Sequence, residues 1–325
     1  PRSFEATIHG KLVSNNNSFD VSLSEEILPN NIAQKIVAGD ITKVLVIGQG
    51  TAAVAGQACA HFFDVMESSL QVEYALATEI SGFNLKSDMS NHLVIAVSQS
   101  GTTTDTNRTV DLLHDRGASV IAIVNRRGSD LATKADGVFY TSSGRDVEMS
   151  VASTKAFYSQ VAAGSLLAIG ICKLLDSTLI SKSQTQDVLS SLQSMPDLMR
   201  QALTLRDSIS AIAKRTVLSR RSWASVGNGP NSIASREIRI KSSELCYKAI
   251  ANDVTEDKKH IDLSCEPLIV VCATGLTGST ADDVSKEVSI FKAHKAMPVV
   301  ITDDSSERFD SCDNVITIPK TDPNL

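Results

Sequence analysis

Three segments hold side chains whose types and spacing suit chemistry. The first, Ser98-Gln99-Ser100-Gly101-Thr102-Thr103-Thr104-Asp105-Thr106, directly follows the apolar run 93–97. Its hydroxyls and small residues let the backbone come close to a phosphate. Gly101 permits a backbone angle that other residues resist, and a helix start beyond it offers free N–H groups. The loop suits a phosphate monoester, and it also reads as an ordinary hydroxyl-rich helix cap. It has neither the P-loop lysine nor GxGxxG spacing, which argues against a nucleoside triphosphate or a dinucleotide. Gly48-Gln49-Gly50-Thr51 offers a second backbone wall, or a plain glycine turn between strand and helix.

In the second segment, Glu148-Met149-Ser150-Val151-Ala152-Ser153-Thr154-Lys155, Ser153 or Thr154 stands where a helix cap would. Lys155 then falls in a first turn, where the helix dipole disfavours a cation and calls for an acidic partner or a ligand. In the third, Glu237, Lys241 and Glu244 are spaced i, i+4 and i+3, so one helix face carries all three. That pattern is either a solvated ion-pair stripe or an acid/base set. In the latter, a carboxylate takes a proton from carbon beside a carbonyl or imine while the ammonium holds the hydroxyl oxygen. His260 closes the polar stretch Glu256-Asp257-Lys258-Lys259-His260, read as a loop with a surface histidine or a further site residue. No histidine spacing supports a metal.

The elements that must position these groups are legible as short apolar runs, each running into a small or turn-forming residue (Gly, Ser, Asn, Asp or, after 272, Ala273-Thr274-Gly275) and then a helical stretch. The runs are 44–47, 93–97 and 119–124 in the first half, then 223–226, 268–272 and 298–302 in the second. This is how parallel strands with crossover helices read, so an α/β fold is expected. The near-constant offset between matching runs points to an internal duplication. The expected organisation is an arm or linker over 1–30, a first domain over 31–185, and linker helices plus a second domain over 186–325. Pro1 to Asn31 reads as an arm or a leading helix, with Asn15 to Ser18 as a loop and Pro29-Asn30-Asn31 as a turn or helix start.

Composition narrows the function classes. The 325 residues are 42% hydrophobic, enough for two ordinary cores, and 31 Lys+Arg against 37 Asp+Glu leave a net charge of −6. Nothing electrostatic invites nucleic acid or an anionic membrane surface. The longest apolar stretches, 161–172 and 267–273, are interrupted short of a bilayer span, so no membrane-crossing helix is expected. Six cysteines lack CxxC or zinc-type spacing, and each reads as a small buried hydrophobe in a reducing compartment, with the cytoplasm as the default.

Ser98-Gln99-Ser100-Gly101-x-Thr103-x-Asp105-Thr106, the segment Val151 to Phe157 and the Glu237/Lys241/Glu244 helix occur in the order found in the sugar isomerase (SIS) domain family. Within it, the chain resembles the tandem-SIS isomerase half of the glutamine:fructose-6-phosphate amidotransferases, or glucosamine-6-phosphate synthases. The resemblance implies two tandem SIS domains, each a parallel sheet flanked by helices, joined by linker helices. It implies that Thr51, Ser98, Gln99, Ser100 and Thr103 hold the phosphate of fructose 6-phosphate, with Val151 and Ser153 touching the sugar. Glu244 is then the base moving a proton between C1 and C2, Lys241 assists, Glu237 supports the constellation, and His260 aids ring opening from a neighbouring subunit of a homodimer. No metal or organic cofactor is implied.

The same resemblance makes Pro1-Arg2-Ser3 similar to the end of a linker from a glutaminase domain, and puts that domain's cysteine before Pro1 and a Schiff-base lysine beyond Leu325. The fragment is then expected to bind the sugar phosphate without releasing ammonia from glutamine. Two departures stand out: Ala52 follows Thr51 where the family has serine, removing one hydroxyl, and residues 245–259 differ from the family's usual run. The alternatives within reach are another SIS phosphosugar isomerase or deglycase, and a non-enzymatic phosphosugar-sensing SIS module.

Overall fold

The computed structural model describes residues 1–15, 18–66, 69–144, 152–260, 263–303 and 307–325. The chain divides into two compact units, Pro1–Gln193 and Ser194–Leu325. A hairpin of β1 (Leu12–Asn15) and β2 (Ser18–Val21) precedes the first five-stranded sheet: β3 (Lys43–Gly48), β4 (Gln71–Leu76), β5 (His92–Ser98), β6 (Ser119–Val124) and β7 (Gly137–Tyr140). All its pairings are parallel, in the order β4-β3-β5-β6-β7. The second unit holds β8 (Trp223–Gly227), β9 (Ile250–Asp253), β10 (Leu268–Ala273), β11 (Met297–Thr302) and β12 (Val315–Thr317). They too are all parallel, and their order β9-β8-β10-β11-β12 repeats the first.

The six apolar runs read from the sequence are the central strands of these sheets. β5 and β6 are buried along their whole length because helices cover both faces. Val94 and Ala96 of β5, with Val120, Ala122 and Val124 of β6, form one core with Val110 and Leu113 of the helix Thr104–His114. The alternate residues face the other side, where Gly56 of the helix Thr51–Met66 comes so near Val46 and Val97 that an added Cβ would lie 3.1 Å from Val46 Cγ1. In the second unit, Val284, Val288 and Phe291 of the helix Gly278–Ala293 pack on Ile269, Val271 and Val300. Ile212 of the helix Arg206–Thr216 meets Leu268, Val299 and Ile316.

Several stretches depart from the sequence reading. Residues 1–30, expected as an arm, belong to the first unit. The helix Arg2–Ile8 buries Phe4 and Ile8, the hairpin buries Leu12 and Val21, and Ile27 and Leu28 are buried ahead of the helix Asn30–Ala38. Of the expected loop at Asn15 to Ser18, the ends pair as strand residues, and Asn16 and Asn17 lie outside the described residues. The boundary between units falls inside the helix Lys182–Leu203. Its first half is held to β2 by a reciprocal pair, Phe19 N–H donating to Gln186 Oε1 and Gln186 Nε2 donating to Phe19 O, both at 2.7 Å.

Helix Lys155–Leu174 is one unbroken run of 20 residues, long and apolar enough by length and composition to cross a membrane, yet 72% of its most apolar window is buried within its own unit. Small residues at Gly164 and Gly170 do not interrupt it, because they are where neighbours come closest. Cys59, Cys172, Cys272 and Cys312 are buried as expected, and burial pushes the Cys59 and Cys272 thiols up to about 12. Cys246 and Cys265 are exposed instead, one ending a helix and the other closing a short turn.

The contact between the helices Lys155–Leu174 and Thr51–Met66 provides a test of this packing. A Cβ on Gly164 would sit 2.7 Å from Cys59 Cβ. In an open helix Gly→Ala raises stability by about 1 kcal/mol. Here Gly164→Ala is expected to lower it by about 1–3 kcal/mol, through overpacking of two backbones that cannot both stay in place. The urea midpoint measures this, and an unchanged or raised midpoint would mean that the helices do not meet at Gly164.

Candidate functional site

Strand order 2-1-3-4-5 places a crevice at the carboxyl ends of the first and third strands of each sheet, where successive crossovers leave on opposite faces. In the first unit that position lies between the ends of β3 and β5. β3 ends in Gly48, where a Cβ would come within 2.9 Å of the Ala52 and Ala53 backbone, so only glycine lets the helix Thr51–Met66 start so close to the strand. Thr51 opens this helix and is buried, while Gln49 Nε2 donates to Thr78 Oγ1 at 3.2 Å.

β5 runs into the hydroxyl loop. Gly101 N–H donates to the buried Ser98 Oγ at 3.1 Å, and Gly101 takes φ +67°, with Ser129 Oγ only 2.1 Å from where its Cβ would be. Ser100 Oγ accepts from both the N–H (3.2 Å) and the hydroxyl (2.9 Å) of Thr102. A serine hydroxyl has two acceptor sites and one proton, so Ser100 is left with a proton to donate, the polarity an anion needs. Thr103 stands at the N-cap of the helix Thr104–His114 with no side-chain cap bond, so its hydroxyl is not spent on the helix end.

Sequence reading missed the residues that hold this loop in shape. Asn107 Nδ2 donates to Gly101 O (3.1 Å) and Thr103 O (3.0 Å), and Leu131 N–H adds a second bond to Gly101 O at 3.0 Å. Asn125 N–H donates to Gln99 O at 3.1 Å, and its side chain donates to Thr141 O at 3.1 Å. The available signal for Asn107 was an amide on a helical face that is otherwise Thr106, Val110 and Leu113. Ser153 lies just before the helix Lys155–Leu174 with its Oγ buried and unbonded among the described residues, and Thr154, at the N-cap, makes no cap bond. Val151 lies outside the described residues.

The matching position in the second unit is built differently. Asn231 Oδ1 accepts from Thr274 N–H (3.0 Å) and Oγ1 (2.9 Å), and its Nδ2 donates to Thr274 O at 2.8 Å. Gly275 N–H donates to Asp303 Oδ1 at 2.8 Å. A carboxylate of the protein thus occupies the place an incoming anion would take.

The helix Pro230–Cys246 starts from this crevice and carries Glu237, Lys241 and Glu244 on one face. Lys241 Nζ lies 2.6 Å from Glu244 Oε2 and 3.8 Å from Glu237 Oε1. Glu237 is buried, Lys241 nearly so, and the Glu244 side chain is 39% exposed. The sequence-predicted triad is therefore one contiguous cluster, graded from interior to solvent.

The stretch before His260, read as a loop, is the helical turn Thr255–His260, because Thr255 and Lys258 share a buried face one turn apart. His260 is 67% exposed and lies 3.4 Å from Glu256 Oε1, apart from the buried members of its helix. Lys259 instead binds the acids, Glu256 at 2.6 Å and Glu287 at 3.0 Å. That ammonium holds the Glu256 carboxyl below its ordinary range, and Glu256 and then Glu287 raise Lys259 in turn.

Loss of the Asn107 amide removes two bonds to loop carbonyls. Asn107→Ala is expected to cost about 1–3 kcal/mol, the penalty for buried acceptors left short of donors. It should also speed amide hydrogen exchange across Ser98 to Thr103 relative to β6. Exchange accelerated equally everywhere would mean the residue supports the fold at large and not the loop.

Relatives of known name match most of the chain. It is 28% identical over 288 residues to glutamine–fructose-6-phosphate aminotransferase [isomerizing] of Corynebacterium glutamicum, covering 86% of this chain and 45% of that protein. To the protein of the same name from Symbiobacterium thermophilum it is 29% identical over 323 residues, covering 99% of this chain and 51% of the other. The chain thus spans about half the length of the curated relatives it matches. In structure it is similar to the C-terminal domain of glucosamine-fructose-6-phosphate aminotransferase from Francisella tularensis, with TM-score 0.85 and 21% identity over all of this chain and 88% of that one. The first sheet and the loops of its crevice fall within residues 40–170, which match the family model of the SIS domain.

Proposed function

We propose that the chain is the isomerase half of a glucosamine-6-phosphate synthase, with two SIS halves, acting on fructose 6-phosphate and ammonia delivered by a glutaminase domain. The observation that carries the reading is the hydroxyl loop after β5, where Ser98 and Ser100 accept bonds from within the loop and Ser100 keeps a proton to donate. Repetition of one strand order in both sheets supports the second SIS half. The long, ordered likeness to the aminotransferases supports the choice of substrate.

In this reading Ser98, Gln99, Ser100 and Thr103, with Thr51 opposite, hold the phosphate, and Ser153 and Val151 touch the sugar. Ammonia adds to C2 and water leaves, giving an imine. Glu244 then takes a proton from C1 and returns it at C2, while Lys241 stabilises the charge that develops on the hydroxyl oxygen of C1. Glu237 keeps Lys241 in place from the interior side. His260 stays open to solvent, as a group offered to a second subunit of a dimer must be.

The test is hydrogen exchange at C1 of fructose 6-phosphate in deuterated water, followed by NMR. Wild type is expected to exchange, and Glu244→Gln to slow exchange by about 10²–10⁴-fold with binding kept. Ser100→Ala is expected to weaken binding with the exchange rate at saturation little changed. Binding without exchange in wild type would favour a sensing module, and exchange that survives Glu244→Gln would remove Glu244 from its role.

A further inference from the structure

The second unit has a cavity of about 480 Å³ away from its crevice, at the opposite, amino-terminal ends of β8, β9 and β10. Its size is that of a small-molecule site. Arg221, Trp223, Ile250, Lys258 and Pro267 line it, and among the described residues none of the lining is acidic.

Lys258 is only 2% exposed. Its backbone N–H donates to Val254 O at 3.3 Å, and its side chain has no ion pair among the described residues. The acids nearby are taken by other cations: Glu256 and Glu287 by Lys259, and Glu266 by Arg220 at 3.2 Å. Lys248 adds further positive charge beside the cavity, its Nζ 4.6 Å from the centre of the Trp223 ring and donating to Arg221 O at 3.1 Å. A lysine whose stem is buried and whose side chain lines a cavity presents its positive charge to whatever enters that cavity. Among the described residues no acid pairs with Lys258.

We propose that this cavity binds a phosphate monoester. The phosphate is held by Lys258 and Arg221, two cations matched to a dianion, and the organic part lies against Trp223, Ile250 and Pro267. The site shares no residue with the hydroxyl loop or with the Glu237/Lys241/Glu244 cluster, so it does not depend on the function proposed above.

Trp223 is the only tryptophan of the chain, so its fluorescence reports on this cavity. The chain is titrated with inorganic phosphate and with phenyl phosphate, using chloride at matched ionic strength as control. Both phosphates are expected to give a saturable change in emission, with phenyl phosphate saturating first. Lys258→Met is expected to weaken binding about tenfold or more, and Ser100→Ala in the first unit to leave it unchanged. Should Lys258→Met fail to fold, Arg221→Gln at the exposed rim carries the same expectation. No saturable change, equal binding in the folded variant, or loss of the signal in Ser100→Ala overturns the proposal.

Discussion

The site in the first unit depends on one close approach, that of Gly101 to Ser129. No residue with a Cβ fits there, since Ser129 Oγ would lie 2.1 Å from it, and φ of +67° would strain any other side chain. Once glycine has turned the chain, its N–H reaches back to Ser98 and its carbonyl takes bonds from both Asn107 and Leu131. A strand end, the helix Thr104–His114 and the short helix Asp130–Lys134 are thereby tied to a single peptide. The hydroxyls on either side inherit that rigidity, and a loop held in this way would lose little conformational freedom on binding a ligand.

The two sheets repeat one topology and end it with opposite chemistry. After β5 the loop amides are held by serine oxygens, which are neutral and can turn to donate. After β10 the corresponding glycine amide is held by the Asp303 carboxylate, and Asn231 saturates Thr274. A phosphate approaching the second crevice would meet a fixed negative charge and find the amides already bonded. The second unit is therefore unsuited to anions at its crevice, and what it presents from there is the helix Pro230–Cys246 with its ion-paired face.

The strands were legible because each is an apolar run buried on both faces and stopped by a small or turn-forming residue, and the loop after β5 was legible because hydroxyls crowd around one glycine. Asn107, Asn231 and Asp303 were not legible, since each acts on a backbone group brought near only by the fold. In the first 30 residues a leading helix was legible, whereas the hairpin was not, because four-residue strands with few apolar residues carry too little pattern to announce one. Glu256 to His260 looked like loop because four charged residues and a histidine mask the one-turn relation between Thr255 and Lys258. Gly164 and Gly170 make the apolar stretch 161–172 look interrupted, yet the helix Lys155–Leu174 runs through them. They are the places where Cys59 and Leu23 come within contact, so they mark close packing rather than an end.

The grading of the Glu237/Lys241/Glu244 face bears on how a base can work there. Glu237 is held in the interior, and the bond between Lys241 and Glu244 is short but lies at the solvent end, where exposed pairs are worth about 0.2–1 kcal/mol. Releasing Glu244 from Lys241 therefore costs little beside what binding a substrate supplies. Lys241, whose side chain is only 16% exposed, would keep Glu237 as a partner through such a release. A carboxylate that can leave and an ammonium that cannot is the division of labour that proton transfer between adjacent carbons requires: one group travels with the proton while the other waits where charge will form.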